Sequence, residues 1–368
     1  MRYYIISGEA SGDLHASNLI KEIKKIEPGA QFRAWGGDLM AEQGAEMVKH
    51  IRELAFMGFK EVISNLGAIL KNIRFCKEDI LEWKPDVVIF VDYPGFNLRI
   101  CRWAKEHGFS TIYYISPQLW AWKENRVKII KRYADKMLVI LPFEKEFYDK
   151  HHIEADYVGH PLLDVVSDFA PVEIEGLDSG KTIIALLPGS RKQEISLILP
   201  EMIKAAEKFP PDKYQFVIAA APSIENKFYD EYLEGKNVNT VFGKTYSLLK
   251  NACAALVTSG TATLETALFG VPEVVCYKGG KISFWLAKRL VHVKFISLVN
   301  LVMYKLIVKE LIQNECTPEN IADELKKITE DAEYRSTMIR ELNELRAKLG
   351  GKGASERAAN IIVSFLRH

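Results

Sequence analysis

The sequence is poor in cysteine, and it lacks the residue spacings of common metal sites. Its five cysteines (76, 101, 253, 276 and 316) are odd in number and include no CxxC pair. This scatter excludes a disulfide framework and favours reduced thiols in a cytosol. The eight histidines form no HExxH pattern, so no metal site is expected.

Long apolar runs and an excess of one charge are also missing. No uninterrupted apolar segment reaches the roughly 20 residues that cross a bilayer. The net charge of +1 gives no global case for nucleic acid as a partner. Met1 leads directly into a predicted strand, so no cleavable signal peptide is expected. At 368 residues, 48% apolar and 26% charged, the chain is predicted to be a soluble globular protein of two domains.

Strand and helix patterns alternate through the chain, which is typical of doubly wound α/β architecture. Predicted strands of the first half are 3–7, 32–35, 87–91, 111–115 and 137–140, with helices near 14–26, 59–82, 96–107, 123–134 and 143–150. Those of the second half are 182–187, 215–220, 238–241, 255–258 and 273–277. A polar linker at 169–181 separates domains 1–168 and 181–345, and an amphipathic helix follows at 354–368. Two such domains facing a cleft would bind ligands beyond the carboxyl ends of their strands.

The segment SGEASGD follows the first strand. Gly8 and Gly12 let the backbone turn sharply and approach another group closely. Glu9 and Asp13 would repel a phosphate, so a hydroxyl-rich ligand suits this loop better. A plain βα turn, in which Ser11 or Asp13 caps the next helix, is the alternative.

Asp92 directly follows a fully apolar strand in DVVIFVDYPGFN. It could cap the next helix, but Asn97 also suits that cap and would leave Asp92 free for chemistry. In YYISPQLWAW, Trp120 and Trp122 either fill the core or pack on a sugar ring or an acyl chain.

Two helix starts in the second half suit an anion. LLPGSRKQEI offers Ser190 and Arg191 at a helix N-terminus, and SGTATLE repeats the arrangement with small and hydroxyl residues. Glu265 lies one turn into that second helix, where a carboxylate can hold ribose hydroxyls. Capped turns with solvated side chains are the alternative at both places. The loop at 241–249 has the composition of one that frames a base.

These segments, taken in order, resemble the lipid-A-disaccharide synthase family. SGEASGDLHASNLI, KPDVVIFVDYPGFN, LPFEKEFY, VGHPLLD, LLPGSRKQEI and SGTATLE carry the resemblance, which covers nearly the whole chain. It implies the GT-B fold and an inverting glycosyltransferase that needs no metal or other cofactor. The donor would be UDP-2,3-diacylglucosamine and the acceptor 2,3-diacylglucosamine 1-phosphate (lipid X), giving a β-1,6-linked disaccharide 1-phosphate and UDP.

The resemblance also implies roles for individual residues. Asp92 would be the general base, and Glu9 would assist it or hold sugar hydroxyls. Glu265 would bind the ribose, and Asn300 in SLVNLV would lie near the nucleotide. The diphosphate would be held by Gly189, Ser190, Arg191, Ser259, Gly260 and Thr261.

Acylated substrates imply contact with a membrane surface. An apolar stripe at helical spacing, usually a core face, is implied by the resemblance to be exposed; it comprises Phe59, Val62, Ile63, Leu66, Ile69 and Leu70. The stretch 274–309 holds seven basic residues and no acidic one, which favours anionic lipid or a basic rim around the diphosphate. We therefore expect a cytoplasmic protein bound peripherally to the inner leaflet of the inner membrane.

The resemblance further implies that the C-terminal helix packs back on the first domain, and exchange of this segment between two chains would give a homodimer. Another UDP-sugar enzyme of the same fold, such as a UDP-N-acetylglucosamine 2-epimerase, is the main alternative function. A non-catalytic protein that binds nucleotide sugars or lipids is a second. A dinucleotide dehydrogenase is disfavoured because GEASGD lacks the GxGxxG spacing.

Overall fold

The computed structural model describes residues 1–54, 66–121, 124–222, 224–280 and 293–367. The chain forms two compact units. Unit 1 comprises Met1–Asp164 together with Gly350–His368, and unit 2 comprises Val165–Leu349.

Unit 1 is built on a seven-stranded parallel sheet in the order β3-β2-β1-β4-β5-β6-β7. Strands β1 and β4 are its centre, and their apolar side chains are buried on both faces, as in other parallel sheets covered by helices. The strands are β1 (Arg2–Ser7), β2 (Gln31–Gly36), β3 (Glu46–His50), β4 (Val87–Val91), β5 (Ser110–Tyr114), β6 (Lys136–Val139) and β7 (Asp156–Tyr157).

The helices around this sheet include one from the C-terminal end of the chain. They are α1 (Ala10–Ile26), α2 (Asp38–Glu42), α3 (Leu66–Trp83), α4 (Pro94–Glu106), α5 (Val127–Tyr133), α6 (Pro142–Lys150) and, after unit 2, α15 (Ala354–Arg367). Helix α7 (Leu162–Asp168) spans the boundary at which unit 1 ends and unit 2 begins. Helix α15 packs against α1. The Asp164 carboxylate accepts hydrogen bonds from the N–H groups of Gly353 (2.6 Å), Ala354 (3.2 Å) and Ser355 (2.9 Å), which satisfies the start of α15.

Unit 2 is built on a six-stranded parallel sheet in the order β10-β9-β8-β11-β12-β13. Its strands are β8 (Thr182–Leu187), β9 (Tyr214–Ala220), β10 (Val238–Phe242), β11 (Ala254–Thr258), β12 (Glu273–Tyr277) and β13 (Lys309–Ile312). Its helices are α8 (Lys192–Ala206), α9 (Asn226–Leu233), α10 (Thr245–Asn251), α11 (Thr261–Leu268), α12 (Leu298–Met303), α13 (Pro318–Glu330) and α14 (Ala332–Lys348). Short 3₁₀ turns lie at Ile51–Glu53, Glu124–Arg126 and Gln313–Glu315.

All ten strands expected from the sequence are present within one or two residues of their expected limits. Three further strands, β3, β7 and β13, were not predicted, and all three lie at sheet edges. Helix α1 begins at Ala10 rather than Leu14, and the helix expected at 123–134 starts as a 3₁₀ turn. The beginning of the helix expected at 59–82 lies outside the described residues, which resume with α3.

Within the parts of the chain that the structure describes, we find no helix of sufficient length and apolar character to traverse a bilayer.

Candidate functional site

In each sheet the strand order reverses beside the first strand of that sheet, between β1 and β4 in unit 1 and between β8 and β11 in unit 2. Open α/β sheets bind ligands beyond the carboxyl ends of the strands at such a reversal. The residues that follow these four strands are Gly8–Asp13, Asp92, Gly189–Arg191 and Ser259–Thr261. The predicted site residues of each unit therefore lie at the edge of its sheet that favours ligands.

The glycines after β1 allow close packing within the protein. A Cβ atom on Gly8 would lie 2.4 Å from Cγ of Tyr93, and one on Gly12 would lie 2.9 Å from Oγ of Ser7. Both distances are shorter than non-bonded atoms can approach. The loop after β1 can therefore pack against Tyr93, which follows β4, and against Ser7 of β1 only with glycine at these two positions. The close approach expected from the sequence is therefore made to protein atoms.

The prediction that Ser11 or Asp13 caps α1 is wrong. Helix α1 starts at Ala10 without a side-chain cap, so Asp13 lies inside its first turn. The buried carboxylate of Asp13 instead accepts hydrogen bonds from the N–H groups of Gly37 (2.7 Å), Leu39 (3.2 Å) and Met40 (3.2 Å). Asp13 thus accepts the N–H groups at the start of α2, which have no partner within that helix. These groups lie 24 or more residues further along the chain, and rules for helix starts do not consider contacts at such separations.

Asp92 is held by its backbone in a strained conformation. Its φ is 44°, that of Tyr93 is 49° and that of Ile115 is 66°, all in the left-handed region. The Asp92 N–H donates to the Ile115 carbonyl at 3.2 Å, and the Tyr113 hydroxyl donates to the Asp92 carbonyl at 2.7 Å. Left-handed backbone in non-glycine residues costs free energy and concentrates at functional sites.

Asn97 does not cap α4, contrary to the prediction, because the cap position is Tyr93 and no side chain bonds there. Its buried side-chain amide donates to the carbonyls of Asp92 (2.9 Å), Val91 (3.2 Å) and Ile6 (3.2 Å). The amide therefore ties the ends of β1 and β4 together and fixes the Asp92 carbonyl. The Asp92 carboxylate does not cap α4 either, but the reason expected from the sequence, a cap supplied by Asn97, is wrong.

The Asp92 carboxyl group titrates near neutrality. Burial raises its pKa, and the negative charge of Glu9 raises it further, to about 7. A hydrogen bond from the Tyr93 N–H opposes these two effects. The structure thus brings Glu9 and Asp92 close enough to interact, and it gives Asp92 the proton affinity that a general base needs at neutral pH.

A third carboxyl group, Glu144, was not predicted. It lies in the first turn of α6 and is 1% exposed. Its carboxylate accepts from the Trp120 indole N–H (3.1 Å) and from the N–H groups of Ile140 (3.2 Å) and Leu141 (3.0 Å). Burial is the main cause that raises its pKa to about 7, and Asp92 adds a smaller effect. The segment LPFEKEFY carried the family resemblance, and its glutamate at the third helical position was the available signal.

In unit 2, the turn after β8 leads into a helix start that has no side-chain cap. Gly189 has a φ of 121°, and the first helical residue is Lys192. The Arg191 guanidinium, half exposed, donates to the Glu194 carboxylate at 3.0 Å. The N–H groups of the first turn of α8 and the adjacent arginine are thus suited to an anion, while Glu194 neutralises part of the positive charge.

The turn after β11 has the same form. Gly260 is the cap position of α11, with no side-chain cap, and Thr261 is the first helical residue. Ser259 donates from its hydroxyl to the Ile296 carbonyl at 3.1 Å. One turn into α11, the Glu265 carboxylate accepts from the Tyr246 hydroxyl at 2.7 Å, and burial raises the pKa of Glu265. Tyr246 lies in the segment 241–249, which the sequence predicted to be a loop that frames a base. The prediction of a loop is wrong, because the segment comprises the end of β10, a two-residue turn and the first residues of α10. The structure nevertheless brings Tyr246 of this segment to Glu265.

Asn300 lies in a buried network that occupies its side chain. Its amide nitrogen donates to the Val308 carbonyl (2.9 Å) and to the Glu310 carboxylate (2.8 Å). Its carbonyl oxygen accepts from the N–H groups of Ile307 (2.7 Å) and Val308 (3.1 Å). Because both amide protons are used inside unit 2, Asn300 positions the 296–310 segment and makes no side-chain donation to a ligand in this geometry.

Glu310 is the centre of the same network. It also accepts from the Ser297 hydroxyl (2.8 Å) and from the N–H groups of Ser297 and Ile296 (both 3.0 Å). Ile296 is the residue whose carbonyl receives the Ser259 hydroxyl. Glu310, which the sequence did not indicate, therefore helps to place the turn after β11.

The predicted membrane stripe is only partly described. Phe59, Val62 and Ile63 lie outside the described residues, and the backbone of Leu66 begins α3. Ile69 packs against the core of unit 1, whereas Leu70 is 55% exposed. Among the described residues no group of three potential metal ligands comes together.

Comparisons with known proteins find one family that matches nearly the whole chain. A family model described as "Lipid-A-disaccharide synthetase" matches residues 3–363. Lipid-A-disaccharide synthases of Trichlorobacter lovleyi and Syntrophus aciditrophicus are 39% and 40% identical to the chain, each over 99% of it and 97% of the relative.

Two solved structures have the same fold at low identity. The glycotransferase of kitacinnamycin aligns with a TM-score of 0.68 at 14% identity, over 99% of both chains. The UDP-GlcNAc 2-epimerase from Neisseria meningitidis aligns with a TM-score of 0.67 at 14% identity, over 100% of both chains. These likenesses concern the fold alone, and they confirm the predicted GT-B class of two doubly wound parallel-sheet units.

Proposed function

The chain belongs to the lipid-A-disaccharide synthase family, and on that premise we propose that it transfers diacylglucosamine from UDP to lipid X with inversion. The products are the β-1,6-linked disaccharide 1-phosphate and UDP. The Asp92 carboxyl group, held in strained backbone and titrating near neutrality, is the observation that carries the proposal.

Unit 2 binds the UDP portion in this proposal. The uncapped starts of α8 and α11 direct N–H groups and positive helix dipoles at the diphosphate. The diphosphate contacts two sets of residues. At the start of α8 these are Gly189, Ser190 and Arg191, and at the start of α11 they are Ser259, Gly260 and Thr261. Glu265, already oriented by Tyr246, accepts the ribose hydroxyls. Departure of UDP builds negative charge, which these donors stabilise.

Unit 1 activates the acceptor hydroxyl. At neutral pH a carboxylate with a pKa near 7 is partly ionised and removes a proton more readily than an ordinary aspartate. Glu9 keeps that pKa raised and offers oxygen atoms to sugar hydroxyls. The Asn97 amide and the Tyr113 hydroxyl both donate to the Asp92 carbonyl, and the amide also donates to the carbonyls of Val91 and Ile6. These contacts keep the Asp92 backbone fixed during the reaction.

The deciding experiment incubates the full chain with UDP-2,3-diacylglucosamine and lipid X in detergent micelles and measures the disaccharide. We expect product from the wild type and a loss of about 10²–10⁴-fold in kcat for Asp92→Asn, because a general base is removed. The affinity for UDP should stay unchanged, since Asp92 lies in unit 1 and the proposed nucleotide residues lie in unit 2.

Asp86→Asn is the matched control, because Asp86 lies just before β4, at the opposite end from Asp92, and accepts a hydrogen bond from the Arg2 N–H that asparagine can keep. This variant should transfer at the wild-type rate. Epimerisation of UDP-N-acetylglucosamine by the wild type would favour the 2-epimerase alternative. Binding of UDP-sugar with no turnover would favour a non-catalytic protein.

We also propose a peripheral location on the inner leaflet of the inner membrane, because both substrates carry acyl chains. In unit 1, α3 exposes Leu70 (55%), Phe75 (43%) and Leu81 (46%), and apolar residues on such a helix suit the interface between headgroups and acyl chains. Association of two chains through the C-terminal segment is a further proposal, and sedimentation analysis of the full chain tests it.

A further inference from the structure

Two cysteines of unit 2, distant in the chain, meet near the carboxyl end of β12. Cys276 lies in this strand, opposite Leu311 of the neighbouring strand β13. After β13 the 3₁₀ turn Gln313–Glu315 folds the chain back, and the Gln313 side chain donates to the carbonyl of Gly279, just beyond β12, at 3.3 Å. Cys316, the next residue, is thereby placed beside the end of β12.

The two thiol groups interact directly. A hydrogen bond joins the side chains of Cys276 and Cys316, and the Tyr277 N–H donates to the Cys316 sulfur. Both cysteines are completely buried. Cys101 instead donates to a backbone carbonyl at 3.4 Å, and Cys76 interacts with a tyrosine. The side chains of Cys276 and Cys316 therefore have the proximity that a disulfide bond requires.

The surroundings favour the thiolate at one of the two positions. The hydrogen bond with Cys276 is the main cause that lowers the pKa of Cys316, and the charge of Lys278 and the Tyr277 N–H lower it further, against the opposing effects of burial and Glu201. The same hydrogen bond, followed by burial, raises the pKa of Cys276. Because the thiolate is the reacting form of cysteine, Cys316 is the attacking thiol and Cys276 the resolving one.

A short turn separates Cys316 from solvent. Its N–H donates to the Gln313 carbonyl at 3.1 Å and closes the 3₁₀ turn, in which Asn314 and Glu315 are exposed. Gln313 has a φ of 53°, in the left-handed region that costs free energy in a non-glycine residue. Exposed turns of this kind open locally at lower cost than core strands. A small oxidant can therefore reach Cys316 without unfolding of the sheet.

The backbone of Cys276 also holds the turn after β11. Its carbonyl accepts the Ser259 N–H at 3.3 Å. In the sheet β12 lies between β11 and β13, so Ser259 is on one side of Cys276 and Cys316 is on the other. A disulfide bond of about 2.05 Å is shorter than any contact between separate thiols. Its formation would draw the end of β12 toward Cys316 and away from Ser259.

We propose that Cys276 and Cys316 form a redox site, which a peroxide closes to a disulfide and which thereby weakens UDP binding. The Cys316 thiolate attacks one peroxide oxygen, so that the O–O bond breaks, a sulfenic acid forms and the other oxygen leaves as water after protonation. The Cys276 thiol then attacks the Cys316 sulfur, the S–S bond forms, and the sulfenic hydroxyl leaves with the thiol proton as water. The two sulfurs lose two electrons in all, which reduce the peroxide, and a dithiol reductant restores both thiols.

The test treats the full chain with hydrogen peroxide and measures both the cross-link and the affinity for UDP. Mass spectrometry of proteolytic peptides should find Cys276 and Cys316 joined, with a mass lower by two hydrogen atoms. The oxidised protein should bind UDP about tenfold more weakly, the usual effect of losing one hydrogen bond to a charged group. Dithiothreitol should restore the affinity, which it would not do after oxidation of methionine.

Two variants identify the thiols. Cys316→Ala lacks the attacking thiol, so peroxide should leave its UDP affinity unchanged. Cys253→Ser is the matched control, because Cys253 is the only one of the five cysteines that is not buried. This variant should form the cross-link and lose affinity as the wild type does. The mass measurement on the wild type decides the proposal even if a variant fails to fold.

Three results would overturn the proposal. They are an oxidised wild type without the link between Cys276 and Cys316, a link that leaves the UDP affinity unchanged, and a loss of affinity that persists in Cys316→Ala. The effect on UDP rests on the proposed function, whereas the disulfide does not. If the reduced wild type fails to bind UDP, the proposed function and the effect on UDP fail together, and the mass measurement still decides whether the two thiols form a redox site.

Discussion

At the scale of single residues, strained backbone and raised proton affinity coincide at Asp92. Two consecutive left-handed residues, Asp92 and Tyr93, meet a third, Ile115, through a backbone hydrogen bond. For the β-branched Ile115 this conformation is a clear outlier. Such strain persists only where surrounding contacts enforce it, and here Asn97 and Tyr113 supply them.

Glu9→Gln should shift the acidic limb of the pH dependence of kcat/KM to lower pH. Glu9 raises the pKa of Asp92, so removal of its charge makes Asp92 easier to ionise. The measurement is kcat/KM for the transfer from pH 5 to pH 9. Glu22→Gln is the control, because Glu22 lies in α1, the helix that directly follows Glu9, and pairs with Lys25. A limb that stays in place, or moves to higher pH, would contradict the interaction between Glu9 and Asp92.

The sequence could select candidate site residues at the ends of strands, but it could not assign the contacts of each. Asp92, Arg191 and Thr261 follow apolar strands or start helices, and such patterns are local. The contacts of Asp13 with α2 and of Asn97 with β1 span 24 to 91 residues. Rules that consider only neighbouring residues predict a helix cap at both positions, because Asp and Asn near a helix start most often cap that helix.

At the scale of elements, the unpredicted strands share one physical property. Strands β3, β7 and β13 lie at sheet edges, and β3 and β7 have no fully buried residue. A strand that is covered on both faces appears in the sequence as a run of apolar residues and is easily predicted. An edge strand carries charged residues, such as Lys49 and Lys309, which interrupt this pattern. The ten predicted strands include all the central ones.

Asp164→Ala should loosen α15. The Asp164 carboxylate accepts three N–H groups at the start of this helix, and loss of a helix cap costs about 1–2 kcal/mol. Hydrogen exchange of residues 353–367 should accelerate accordingly. Asp331→Ala, which removes the cap of α14, should leave α15 exchange unchanged. Equal acceleration of α15 in both variants would show that the effect is global rather than local.

At the scale of the whole molecule, buried groups make the stability depend on pH in opposite directions. Burial lowers the pKa of His15 to about 4 and that of His160 to about 3. Burial also raises the pKa of Asp92, Glu144 and Glu273. The histidines bind fewer protons in the folded state than in the unfolded state, and the carboxyl groups bind more.

His160→Asn isolates the histidine contribution, because asparagine can accept the Leu162 N–H (3.2 Å in the wild type) and does not titrate. The histidine is neutral in both states above its unfolded pKa of about 6.5, so its contribution is complete there. As pH falls from 6.5 toward 3, the unfolded state takes up the proton first. The wild type should therefore lose stability relative to the variant, by at most about 1.4 kcal/mol per pH unit.

Urea unfolding at pH 7.5, 6 and 5 measures this difference in the free energy of unfolding. His107→Gln is the control for the loss of an exposed histidine, since His107 ends α4 at the surface. A His160→Asn difference that does not change with pH would show that His160 titrates normally in the folded protein.

Unit 1 is discontinuous in the chain, with α15 contributed after all of unit 2 has passed. On a ribosome, residues 165–349 emerge in one piece and can fold while synthesis continues. The surface of α1 that α15 covers stays exposed until residues 354–367 have left the exit tunnel. A stalled or truncated nascent chain would therefore present that apolar surface to chaperones, and its first half should be the part that proteases clear.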